Sequence, residues 1–227
     1  MPKPYPFLVT LDGPAGVGKS TLAKSVAGYF NLAYLDTGAM FRALALRLGQ
    51  GAWDWTSQQL QASLLDLVFC LSGEGPNTEL SLCGTPVGEE IRSERVGLWA
   101  SHLGQRTEIR SFLKTVQKAI GRETSLVAEG RDMGTVVFPH AGCKIFLDAS
   151  PRERARRRWL QLQDMGQTVD INQLTLDLQQ RDEQDRNRPI APLCPAEDAF
   201  LIDTTPLTID QVEQLVRETV SSHFARR

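Results

Sequence analysis

No stretch of the 227-residue chain is apolar over the roughly 20 residues that a membrane-spanning helix needs. Charge of one sign is also missing. The formal net charge is -2, so general nucleic-acid binding is not expected, and any anion site must come from local placement of Arg and Lys. Cysteine is scarce and scattered: Cys70, Cys83, Cys143 and Cys194 form no CxxC pair. That argues against zinc and redox motifs and predicts reduced thiols. Residues 1–6 lack a signal-peptide pattern. No repeat or low-complexity stretch is present. A soluble, cytoplasmic monomer, with no membrane or nucleic-acid partner, is the expectation.

What is present is an alternation of short apolar runs and helical patterns. Residues 7–11, 33–35, 125–128, 144–147 and 200–202 read as buried strands. Helices are expected over 19–30, 39–48, 96–103, 109–121, 151–165, 174–184 and 208–224. This alternation predicts an α/β fold with a parallel sheet covered on both faces. Residues 64–91 break the rhythm. There, 64–70 and 79–83 read as strands around a Gly/Pro turn, a small antiparallel insertion.

Residues 13–20, GPAGVGKS, match GxxxxGK(S/T) between a strand and a helix, the context that makes the match specific. Glycines let backbone N–H groups curl toward phosphate oxygens, and the following helix presents its positive end to the same anion. Lys19 can reach the β- and γ-oxygens, and the Ser20 hydroxyl can ligate Mg²⁺. Gly13, Pro14, Ala15, Gly16, Val17, Gly18, Lys19, Ser20 and Thr21 are therefore the expected ATP-binding loop. A GTPase-type NKxD motif is missing. Asp148, closing the 144–147 strand, reads equally as a Walker-B acid or as a turn residue before Ser150.

A kinase acting on a small phosphorylated acceptor needs a second set of fixed cations, and the planar fork of arginine suits phosphate best. Thr37 and Arg42 follow a strand end at Asp36; they read equally as a helix cap with a surface arginine or as part of a site. Arg131 and Asp132 lie between Gly130 and Gly134, directly after a strand, where ligands bind in α/β sheets. Arg152, Arg154, Arg156, Arg157 and Arg158 crowd one helix, and Arg181, Asp185 and Arg188 are spaced i, i+4, i+7 on the next. These charges fit a solvated ion-paired surface or, beside an anionic ligand, a mobile basic lid.

Five segments together resemble the bacterial cytidylate kinase family, within the nucleoside monophosphate kinases. They are LDGP (11–14) leading into the P-loop, LDTGAM (35–40), GRDMGTVVFP (130–139), KIFLDAS (144–150) and RDEQDRNR (181–188). The resemblance covers nearly the whole chain, and GRDMGTVVFP is its most specific part. It implies one P-loop kinase domain over 1–227, with a monophosphate-binding region near 37–105 that carries the insertion, and a short helical lid near 151–190. It implies that Thr37, Arg42, Arg131 and Arg188 surround the acceptor phosphate. Ser101, Arg110 and Asp132 would read cytosine, and Arg181 and Asp185 would face the ribose. Arg154 and Arg158 would approach the ATP phosphates from the lid, and Lys19, Arg131, Arg188 and Arg158 would carry catalysis. The chain departs from the family pattern at Phe41, where Tyr is usual, and at Glu129, where Asp is common. Neither departure is expected to touch a proposed contact.

The implied reaction is in-line transfer from Mg²⁺-bound ATP to CMP or dCMP, in pyrimidine nucleotide metabolism. The acceptor is already an anion, so positioning and charge compensation suffice without a general base. A kinase for UMP or AMP, or a P-loop switch, is the alternative.

Overall fold

The computed structural model describes residues 6–225; the expectation for residues 1–5 lies outside the described residues. By its internal contacts the chain divides into two compact units. Its main sheet has five strands in the order β2-β6-β1-β7-β8. These are β1 (Leu8–Asp12), β2 (Ala33–Asp36), β6 (Leu126–Gly130), β7 (Cys143–Asp148) and β8 (Phe200–Asp203). β3 (Phe69–Ser72), β4 (Glu79–Leu82) and β5 (Thr85–Pro86) form a separate antiparallel sheet. A parallel sheet flanked by helices is the α/β class that the alternating pattern predicts.

One unit takes residues 6–8 together with Ala27–Ala128. It holds α2 (Thr37–Leu48), α3 (Ser57–Leu64), α4 (Glu94–Leu103) and α5 (Thr107–Glu123). α5 buries one stripe, Ile109, Leu113, Gln117 and Gly121, at every fourth position, and packs on α3 and β3. Each fully buried Leu or Ile there contributes about 1.5–3 kcal/mol relative to exposure. Gln117 is tolerated in the stripe because its amide lies 3.8 Å from the Met40 sulfur.

Sequence and structure differ at residues 64–70. The expected strand is only its last part, since Leu64 ends α3 and β3 begins at Phe69. α3 follows from a capping box in which Thr56 and Gln59 satisfy each other's backbone N–H, with Leu60 and Leu64 buried one turn apart. α2 differs in a smaller way. Its N-cap is Asp36, whose carboxylate accepts from Ala39 N–H at 2.8 Å, not Thr37, which is its buried first residue.

The other unit holds Val9–Val26 and the chain from Glu129 onward. Here β1 pairs parallel with β7 (Leu11 opposite Ile145), and β7 with β8 (Ile145 opposite Phe200). α1 (Lys19–Phe30) begins in this unit, directly after the glycine-rich turn. α6 (Pro151–Asp164) and α7 (Ile171–Asn187) pack together as a hairpin. α8 (Ile209–Phe224) lays Val212, Val216 and Val220 toward the core and packs on β7.

Candidate active site

The turn between β1 and α1 can be built only with glycine at its start. Gly13 has φ +152, and a Cβ there would sit 2.2 Å from the Leu147 carbonyl oxygen of β7. Any side chain would push the loop off the sheet. Gly16, at φ +76, forms the crest. Lys19 is buried, and its ammonium donates to the Pro14 carbonyl at 2.7 Å, which folds the side chain over the loop. Burial, and then the Arg131 charge, pull the Lys19 ammonium well below the usual lysine range; Glu129 and Asp12 oppose this.

Two carboxylates order this region. Ser20 Oγ donates to Glu129 Oε2 at 3.0 Å. Asp12 accepts from the N–H groups of Met133 (2.9 Å) and Gly134 (2.7 Å), so the residue before the P-loop fixes the turn that follows Arg131 and Asp132. That turn is a π-helical one, Met133–Val137, closed by Phe138 N–H on the Met133 carbonyl. Burial pushes the Asp12 carboxyl up to about 6, against the lowering effect of those two N–H groups.

Two arginines of this unit, Arg131 and Arg188, are held by acids. Arg131 Nε donates to Asp185 at 2.9 Å, and Arg188 Nη2 to Asp132 at 3.2 Å. Arg188 Nη1 lies 3.6 Å from Asp185. Burial alone would raise the Asp185 carboxyl, but Arg131, then Arg188 and Arg181, outweigh it and hold the group below its ordinary value. Arg131, Asp132, Asp185 and Arg188 are thus one connected network. Arg181 is exposed, one turn before Asp185 on α7.

A cavity of about 530 Å³ opens on the P-loop, lined by residues 16–22, Arg156, Arg157, Arg158 and the start of α8 at Leu207, Thr208 and Ile209. Arg157 is anchored to the Thr204 hydroxyl and carbonyl at 3.0 and 2.6 Å. Arg158 lines this cavity. Arg154, expected to approach the ATP phosphates, does not: it is 1% exposed and turned inward onto Ala15, Ala149 and Asp182. The start of α6 points position 154 into the unit and leaves 156 and 158 outside.

In the first unit, Arg42 Nη1 donates to the carbonyls of Ile91 (3.1 Å) and Ser93 (3.2 Å), tying α2 to the entry of α4. Arg110 Nε donates to the Gly104 carbonyl at 2.8 Å, and its guanidinium lies 5.6 Å from the Phe41 ring centre. Ser101 is half-buried on α4.

The expectation that the departures at Phe41 and Glu129 touch nothing proposed is therefore wrong at both positions. Phe41 stacks under Arg110, and Glu129 accepts from Ser20. Asp148 adopts its turn role, accepting from Ala149 N–H at 2.9 Å, with Arg186 3.4 Å away. The acid at the P-loop is Glu129, because β6 and not only β7 borders β1. Asp12 and the Leu207–Ile209 wall were also missed. An acid closing an apolar strand was the available signal for Glu129.

The family model for cytidylate kinases matches residues 9–222. The cytidylate kinase of Maridesulfovibrio salexigens is 57% identical over 94% of this chain and 96% of its own length. That of Oleidesulfovibrio alaskensis is 53% identical over 91% of this chain and 94% of its own length. Among solved structures, an uncharacterized protein from Eubacterium ventriosum aligns with a TM-score of 0.52 at 10% identity, over 95% of this chain and 98% of that one, a likeness of fold alone.

Proposed function

Since the chain belongs to the cytidylate kinase family, we propose that Lys19 and the P-loop amides hold the phosphates of ATP, while Arg131 and Arg188 hold the acceptor phosphate. The chain transfers the γ-phosphoryl group of ATP to CMP or dCMP, giving ADP and CDP or dCDP. The observation that carries the assignment of residues is the Arg131–Asp185 and Arg188–Asp132 network, whose following turn is tied to Asp12, the residue before the P-loop. Two fixed cations beside a phosphate-binding loop are what a phosphoryl transfer between two anions requires.

Mg²⁺ fits the residues present. Ser20 and Glu129 face each other with hard oxygen donors at the end of the loop, and Mg²⁺ takes few protein oxygens beside phosphate and water. Ser20 would ligate it and Glu129 would orient that hydroxyl. When bound, the ion offsets charge on the β- and γ-oxygens. Arg158, in the P-loop cavity, adds a further positive charge to the donor side. Thr37 and Arg42 are proposed for the acceptor phosphate, Ser101, Arg110 and Asp132 for cytosine, and Arg181 and Asp185 for the ribose. Cytosine offers an amino donor to a carboxylate and two acceptors to Arg and Ser. Arg154 keeps a place in the ATP site, but through the loop and not through contact. The same reading has the enzyme working as a cytoplasmic monomer on free nucleotides.

A coupled ADP-release assay over CMP, dCMP, UMP and AMP tests the reading, with Lys19→Ala as its control. Turnover on CMP and dCMP, falling about 100-fold or more in the variant, is expected for a loss of ~3 kcal/mol of charge stabilisation. Normal turnover in Lys19→Ala would remove the P-loop from the mechanism.

A further inference from the structure

Arg154 is among the largest fully buried side chains, and every nitrogen of its guanidinium is engaged. Nε donates to the Ala149 carbonyl at 2.9 Å, just before α6. Nη1 donates to the Ala15 carbonyl at 2.9 Å and to Asp182 Oδ1 at 3.1 Å, and Nη2 donates to Asp182 Oδ2. Taking two ions out of water is costly, and a well-packed apolar pair would often serve the fold as well. Packing alone therefore gives no reason for an ion pair here.

The Ala15 contact gives one. No peptide among the described residues is cis, and in a trans peptide C=O and N–H point in opposite directions. A carbonyl held toward Arg154 sends the Gly16 N–H to the other side of the loop, and Gly16 lines the phosphate cavity. The cationic donor also polarises that peptide, which strengthens its N–H as a donor. The crest of the loop is seated on both lid helices. A Cβ at Gly16 would meet Arg154 Cβ at 3.5 Å and Leu178 of α7 at 3.9 Å. One turn beyond Asp182, the same helix carries Asp185, the partner of Arg131.

We propose that Arg154 and Asp182 form a positioning pair that aims the Gly16 N–H at the transferring phosphate and holds the P-loop crest in register with α7. Neither residue touches a nucleotide. The pair acts on the transition state through the loop, so its loss lowers kcat and leaves ground-state ATP affinity nearly intact. This rests on the kinase reading above. Wild-type turnover on CMP is therefore measured first, and a wild-type protein inactive on every monophosphate would fail that reading and not this one.

The test is the double variant Arg154→Met/Asp182→Leu, which removes both charges and strands neither. Its melting temperature is expected within a few degrees of wild type, as apolar replacement of buried ion pairs is often neutral. Its kcat is expected to fall ~10-fold or more, with the ATP dissociation constant within about threefold, the pattern of a contribution made in the transition state. Arg154→Lys keeps the charge but not the fork. It should show the same split, and it decides the matter if the double variant does not fold. Wild-type kcat in a folded variant would overturn the proposal, leaving a purely structural pin. A tenfold loss of ATP affinity would overturn it too, because Arg154 would then touch ATP itself.

Discussion

The Ser20 hydroxyl donates to Glu129 at 3.0 Å, joining the first residues of α1 to the last residues of β6. On the proposed reading the Ser20 hydroxyl faces Mg²⁺, and the buried Glu129 carboxylate fixes its rotor. Glu129 also supports the positive charge of Lys19, which burial and Arg131 both weaken. Glu129→Gln keeps the shape and removes the charge. The Mg²⁺ concentration for half-maximal rate should rise, in the ~10-fold range typical of second-layer changes at metal sites. Lys19 should also lose its proton at lower pH, moving the alkaline limb of the rate profile down. A Mg²⁺ titration and a pH profile at fixed ATP check both; an unchanged Mg²⁺ requirement would leave Glu129 a structural acceptor.

Arg131 and Arg188 are each fastened to an acid, at 2.9 and 3.2 Å, so they are ordered before an acceptor arrives. Pre-ordering makes the phosphate contact worth more, since less freedom is lost on binding. Arg131→Ala or Arg188→Ala should weaken CMP by roughly 1.5–3 kcal/mol, about 10- to 150-fold, with much less effect on ATP. Michaelis constants for both substrates decide this. A change confined to ATP would move that arginine to the donor side.

Much of this site is legible in the sequence, because its chemistry is carried by contiguous motifs. GPAGVGKS needs glycine at Gly13 for a close approach to Leu147, and the loop forms where the motif says. What is not legible depends on strand order and helix facing. An acid closes β6 and another closes β7; only the order β2-β6-β1-β7-β8 shows that Glu129, and not Asp148 alone, ends on a neighbour of β1. Arg154 and Arg158 share the i, i+4 spacing of one helix face. Yet Arg154 is within the first turns of α6, where the hairpin meets the loop, and Arg158 lies a turn farther out. Spacing gives a common face but not the point at which that face leaves the protein. α3 was missed because its capping box and two leucines lie in a polar, Gln-rich stretch with weak periodicity.

Asp12 gives a prediction with a definite sign. Its folded-state value is raised from 3.8 to about 6, chiefly by burial. Between those values the folded protein keeps a proton that the unfolded chain has lost, so this group favours folding at low pH, and that contribution is lost as pH rises through about 6. The span corresponds to roughly 3 kcal/mol. Asp12→Asn cannot ionise. It has one oxygen for the two N–H groups of Met133 and Gly134, a deficit that does not vary with pH. The stability of the variant relative to wild type should therefore improve from pH 4 to pH 7.5. Urea midpoints at the two pH values measure it, and a constant difference would mean that Asp12 titrates normally.

On the proposed reading, Asp132 is the residue that reads the base. Its carboxylate is buried and accepts from Arg188 at 3.2 Å, which fixes its direction. A carboxylate can accept from the cytosine amino group but can offer nothing to the carbonyl that uracil carries at the same place. Asp132→Asn should lower efficiency on CMP and narrow its advantage over UMP, because an amide can turn its NH₂ toward that carbonyl. A site whose buried polar groups pair only with the right base discriminates by ~10⁴-fold, far beyond what shape gives. The ion pair with Arg188 supplies the competing account, in which Asp132 only holds an acceptor arginine. The two accounts separate on one measurement. If Asp132 only orients Arg188, CMP and UMP lose efficiency by the same factor, since both carry the phosphate. If it reads the base, the CMP-to-UMP ratio falls, and efficiencies for CMP, dCMP and UMP in the wild type and the variant report that ratio directly.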